Sequence, residues 1–93
     1  MRLRLTARAN RDLLNIAEYI NRENPAATTS VCQRIEQSLM LLESAPYIGR
    51  KGQLAGVREL LVRGLPFLVI YQIKDVDVQV LTIFHTSRSP ENK

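Results

Sequence analysis

Between Val57 and Phe84 the chain holds three apolar runs, Val57 to Arg63, Phe67 to Ile73 and Val76 to Phe84, separated only by Gly64-Leu65-Pro66 and Lys74-Asp75. Runs rich in Val, Ile, Leu and aromatic residues suit a pleated surface that is at least half buried. Separations this short leave no room for a crossover, so the runs must pair as antiparallel hairpins. The expectation is a three-stranded meander. Its middle run is apolar at nearly every position, which predicts cover on both faces: one from the rest of the chain, the other from a partner.

Upstream the hydrophobic period changes. Arg2 to Thr6 alternates basic and apolar residues, as in a short strand at or near a sheet edge, with Leu3 and Leu5 on one face and Arg2 and Arg4 on the other. From Ala7 the apolar positions Leu13, Ile16, Ala17 and Ile20 fall at helical spacing; Thr6 is placed to cap the start and Asn24-Pro25 to end it. Asn24 is then expected to cap a second helix with Pro25 at its first position, an apolar stripe of Val31, Ile35, Leu39 and Leu42, and an end near Ser44. Two amphipathic helices joined so closely form an antiparallel hairpin that needs a third surface, and the meander supplies it. The segment from Pro46 to Gly56 carries Gly49, Gly52, Arg50 and Lys51 and breaks both periods, so it reads as an exposed basic loop. Pro90 to Lys93 reads as a frayed tail.

At 93 residues the chain has room for one small domain, expected over residues 1–93. No apolar run nears the roughly 20 residues that span a bilayer, and the N-terminus lacks a signal-like apolar stretch, so a cytoplasmic protein without a membrane partner is expected. Cys32 is the one cysteine and His85 the one histidine, which predicts neither a disulfide nor a metal site, and no cofactor motif is present. Gly49, Gly52 and Gly56 lack the Gly-Lys-Ser/Thr ending of a phosphate loop and lead into a strand. Ser87 near His85 has no third group in view for hydrolase chemistry, and Cys32 reads as a small buried hydrophobe.

The net charge is +4, and arginine outnumbers lysine ten to three. Guanidinium forks bind carboxylate or phosphate bidentately, so this bias points to docking with an acidic partner. Arg8 and Arg11 stand in the first turn of a helix whose dipole disfavours them, offset only by Asp12; with Arg2 and Arg4 they concentrate positive charge at one end. Arg58, Arg63, His85 and Arg88 are expected to converge on or beside the sheet as a cationic constellation, with His85 as proton carrier and the arginines as charge stabilisers if the site acts on phosphate. The alternative is structural, with Arg58 paired to Glu59 or a helix carboxylate and His85 bonded to a strand-end carbonyl. Tyr71 reads as core with its hydroxyl at the rim.

The order and spacing of Ala9-Asn10-Arg11-Asp12-Leu13, Ile16-Ala17-Glu18-Tyr19-Ile20, Asn24-Pro25-Ala26-Ala27, Gly49-Arg50, Gly56-Val57-Arg58-Glu59-Leu60, Phe67-Leu68-Val69-Ile70-Tyr71 and His85-Thr86-Ser87-Arg88 resemble the RelE/ParE toxin superfamily, in its ParE-like branch. The resemblance implies an α+β fold: an N-terminal strand and an antiparallel helical hairpin packed on a small antiparallel sheet. It also implies a toxin of a type II toxin-antitoxin system, held in a hetero-oligomer by a cognate antitoxin whose C-terminal segment wraps around it. RelE-like relatives cleave mRNA on the ribosome, usually with an arginine in the strand matching Phe67 to Tyr71 and often with a tyrosine in a final helix. Here that strand has no cation and the chain ends soon after Arg88. The resemblance therefore implies DNA gyrase as target and no catalytic set; the alternative is a ribosome-dependent endoribonuclease using His85, Arg88 and Arg58. Candidate target- or antitoxin-binding residues are Arg2, Arg4, Arg8, Arg11, Arg50, Arg58, Arg63, Phe67, Tyr71, His85 and Arg88.

Overall fold

The computed structural model describes residues 1–88, the side chain of Arg88 excepted; the tail from Pro90 to Lys93 lies outside the described residues. Strand β1 (Arg2–Leu5) leads into helix α1 (Ala7–Glu23), a 3-10 turn (Pro25–Ala27) and helix α2 (Thr28–Ser44). Strands β2 (Arg50–Lys51), β3 (Val57–Leu61), β4 (Phe67–Lys74) and β5 (Asp77–His85) follow, and a 3-10 turn (Thr86–Arg88) closes the described chain. The sheet runs β1-β5-β4-β3-β2. The meander is antiparallel as its short turns demand. β1 joins it parallel to β5, reached through the helical hairpin, so the five-stranded sheet is mixed.

Thr6 caps α1 as expected, its hydroxyl accepting from the Ala9 N–H at 3.0 Å. Asn24 does not cap α2. Its side chain makes no capping bond, and Pro25 opens a separate 3-10 turn, so α2 starts three residues later than its sequence signals place it. Pro25 suits a first helical position because it has no N–H to leave unpaired, and the tighter turn lets α2 reverse against α1.

The helices cover one sheet face. Val31, Ile35, Leu39 and Leu42 of α2 are buried with Val69 and Tyr71 of β4 and Val78, Val80 and Ile83 of β5, while Leu13, Ile16 and Ile20 of α1 pack at the margin. Each fully buried aliphatic side chain here stabilises the fold by about 1.5–3 kcal/mol. The second face of β4 is half-buried only: Leu68 and Ile70 stand there beside Leu61 and Phe84, their register partners or neighbours. The expectation of cover on both faces is thus met by the chain on one side alone.

A bulge in β5 breaks the register, since Ile70 faces Thr82 while Tyr71 faces Val80, leaving Leu81 extra. The first residues of the helical segment satisfy it. The Thr6 hydroxyl donates to the Leu81 carbonyl at 2.9 Å, and the Asp12 carboxylate accepts from the Thr82 hydroxyl at 2.6 Å and from the Ile83 N–H at 3.0 Å. β1 pairs with β5 only as far as Val80, so Asp12 takes over the edge where β1 stops. Asp12, read from the sequence as a counter-charge for Arg8 and Arg11, is chiefly an edge acceptor.

Candidate functional site

The segment from Pro46 to Gly56 is not a free loop. Its centre forms β2, pairing Arg50 with Glu59 and Lys51 with Arg58. Tyr71 and Arg58, register partners across β4 and β3, hold its first part from two directions. The Tyr71 hydroxyl accepts from the Gly49 N–H at 3.0 Å and donates to the Pro46 carbonyl at 2.7 Å. Arg58 Nη1 donates to the Gly49 carbonyl at 2.7 Å and to the Tyr47 carbonyl at 3.3 Å, and its guanidinium lies 5.1 Å from the centre of the Tyr47 ring. Gly49 is required by this closeness: a Cβ there would stand 2.5 Å from the Tyr71 hydroxyl and 2.7 Å from the Glu59 carbonyl. Burial pushes the Tyr71 phenol above its usual range, against the opposing pull of the Gly49 N–H and the Arg58 charge.

This arrangement corrects several expectations. Arg58 pairs neither with Glu59 nor with a helix carboxylate; Glu59 is taken by Arg50 at 3.0 Å. The Tyr71 hydroxyl is not at the rim, and Tyr71 and Phe67 are both buried, so in this conformation neither offers a docking surface. By contrast, Tyr47 of the Pro46 to Gly56 segment does reach solvent, 63% exposed. Sequence reasoning passed over Tyr47; its place between Pro46 and Gly49, in a segment that breaks periodicity, is the signal available.

The cations disperse. Arg58 faces Tyr71 while His85 faces Phe67, four residues along β4 and therefore about 13 Å away along the strand. Arg63 follows β3 at the His85 end, and its carbonyl accepts from Arg34 Nη1 at 3.4 Å. The expected convergence of Arg58 with His85 does not form, because the hairpin register sets them four residues apart along β4. Arg2 and Arg4 share Asp77 at 3.0 and 3.4 Å, so much of their charge is neutralised within the sheet. Arg8 and Arg11 are exposed on α1. His85 Nδ1 accepts from the Ser87 N–H at 3.1 Å and lies 2.6 Å from the Ser87 hydroxyl. Its ring meets Phe67 edge to face at 5.5 Å. Nδ1 is thus already engaged by a neighbouring backbone group. Arg88 lies in the closing 3-10 turn, its side chain outside the described residues.

Two apolar surfaces are open among the described residues. An apolar groove of about 560 Å³ runs between α1 and α2, lined by Leu13, Ile16, Ala17, Cys32, Ile35 and Leu39 among others. The second is the strip on the outer sheet face where half-buried Leu68, Ile70 and Phe84 adjoin exposed Leu61. No helix among the described residues is long and apolar enough to cross a membrane.

Comparison with known proteins agrees with this architecture. Residues 3–90 match the family described as the ParE toxin of the type II toxin-antitoxin system parDE. The Y4kP protein of Sinorhizobium fredii, named as a candidate toxin, is 37% identical over 84 residues, covering 90% of this chain and 86% of its own length. Among solved structures, the chromosomal ParDE toxin-antitoxin system from P. aeruginosa superposes with a TM-score of 0.83 at 26% identity, over 91% of this chain and 95% of that one. The isolated E. coli RelE toxin shares the fold, with a TM-score of 0.66 at 18% identity over 97% and 88% of the two chains.

Proposed function

This chain belongs to the ParE toxin family of type II toxin-antitoxin systems, and from that membership we propose that it arrests growth by inhibiting DNA gyrase and is silenced by a cognate antitoxin. The observation that carries the choice of target is that, among the described residues, no phosphate-transfer site is assembled on the sheet. The strand from Phe67 to Tyr71 has no cation, and Arg58 and His85 stand about 13 Å apart along β4, with His85 Nδ1 held by the Ser87 N–H. General acid-base cleavage of RNA needs a proton acceptor and charge stabilisers around one phosphate, whereas inhibition by docking needs only a surface.

An antitoxin segment suits the two open apolar surfaces, and its acidic side chains suit exposed cations such as Arg8, Arg11 and Arg63. Hydrophobic burial at about 25 cal/mol per Å² supplies most of the attraction, with exposed ion pairs contributing about 0–1 kcal/mol each. Expression of this chain alone should stop bacterial growth, and co-expression of the protein encoded in the adjoining frame should restore it. Purified toxin should impair gyrase supercoiling or stabilise cleaved DNA while leaving mRNA on translating ribosomes intact. Codon-dependent mRNA cuts in the ribosomal A site, abolished by His85→Ala, would instead establish the endoribonuclease reading.

A further inference from the structure

Lys51 and Arg58 are register partners across β2 and β3, so their side chains leave the sheet on the same side. Both border an open cleft of about 580 Å³, whose other walls include Tyr47, Leu54, Val57 and Ile73. The charges around it are unequal in what they still have to offer. Arg2 and Arg4 are held by Asp77 and Arg50 by Glu59, but neither Lys51 nor Arg58 meets a carboxylate among the described residues. Arg58 uses Nη1 for the carbonyls of Tyr47 and Gly49. A guanidinium carries five N–H donors, so Nε and Nη2 remain to bind. Because the same bonds and the Tyr47 ring hold the guanidinium in place, little side-chain freedom is lost when those donors engage.

We propose that this cleft is a carboxylate site for an acidic protein segment: an Asp or Glu of the partner meets Arg58 and Lys51, while an adjacent apolar side chain lies against Tyr47 and Leu54. Charge complementarity selects the acid, and the apolar lip selects a peptide. A nucleic-acid strand would need cations spaced to follow successive phosphates, yet the next cation along β2, Arg50, is neutralised by Glu59. The assignment rests on the antitoxin reading and narrows it to one contact among the many arginines.

The test uses the toxin released from its complex with the protein of the adjoining frame, rebound at fixed ionic strength, with circular dichroism to verify folding of each variant. Lys51→Glu puts a like charge into the cleft without touching the bonds Arg58 makes to the loop, and should weaken binding by about tenfold or more. Lys74→Glu, an exposed cation outside the cleft, should change it by less than about twofold. Arg58→Lys keeps the charge but not the fork, and should fall between the two. Wild-type affinity in Lys51→Glu would overturn the cleft and leave antitoxin binding standing. No binding by the wild-type chain would overturn both. Binding of a single-stranded DNA oligonucleotide that Lys51→Glu abolishes, with the affinity for the adjoining-frame protein unchanged, would reassign the cleft to nucleic acid.

Discussion

Tyr71 shows how one buried polar atom organises a surface. Its ring is core, and its hydroxyl serves a donor and an acceptor of the segment that carries Tyr47, Arg50 and Lys51. Tyr71→Phe leaves the Gly49 N–H and the Pro46 carbonyl without these bonds, and should cost about 1–3 kcal/mol in a urea titration. The pH dependence has a defined sign. Burial raises the phenol's pKa in the fold, so the folded state retains the proton longer than the unfolded chain does. This contribution is fully present below the ordinary tyrosine value of about 10 and is lost as pH rises through the higher folded value. Unfolding midpoints measured from pH 8 upward should therefore fall more steeply in wild type than in Tyr71→Phe. Equal slopes would show that the hydroxyl is not desolvated.

At the level of elements, α1 is fastened to β5 by polar bonds as well as by packing. Thr6 caps the helix with the same hydroxyl that donates to Leu81, and Asp12, in the second turn, takes the free N–H of Ile83. Together they turn a sheet edge, with its exposed hydrogen-bonding groups, into a covered joint. Asp12→Ala should destabilise the fold by about 1–3 kcal/mol, since a half-buried N–H and the Thr82 hydroxyl lose an ionised acceptor. Amide exchange offers a local readout, because Ile83 should exchange faster while Val69 and Tyr71 change only with global stability. Unchanged protection at Ile83 would mean that another group or solvent already serves that N–H.

Across the whole molecule, apolar surface and charge are distributed for different tasks. The groove between the helices and the strip on the outer sheet face hold the large apolar areas, whereas the cations are scattered and partly neutralised. On the proposed reading, antitoxin affinity should depend weakly on salt and association rate more strongly, because exposed charges steer encounters while buried area sets the lifetime of the complex. Raising ionic strength from about 0.05 to 0.5 M should change the dissociation constant by less than about tenfold. A steeper loss, shared between slower association and faster dissociation, would mean that ion pairs dominate.

What the sequence determined by itself is local. The hairpins follow from turns too short for a crossover, α1 from a 3.6-residue period with a Thr cap, and the core stripe of α2 from Val31, Ile35, Leu39 and Leu42. The ParE-like wording of the chain was legible in the same way, as an order of motifs. Tertiary structure decided what depends on contacts remote in sequence. The register placed Arg58 and His85 four residues apart along β4, a β-bulge turned Asp12 into an edge acceptor, and the approach of Tyr71 to Gly49 made a two-residue strand from what read as a loop. Periodicity reports which face of an element is apolar. It does not report which polar atom, 22 residues away in the case of Tyr71 and Gly49 and 71 in the case of Asp12 and Ile83, will satisfy a backbone group, because that pairing exists only once the chain has closed on itself.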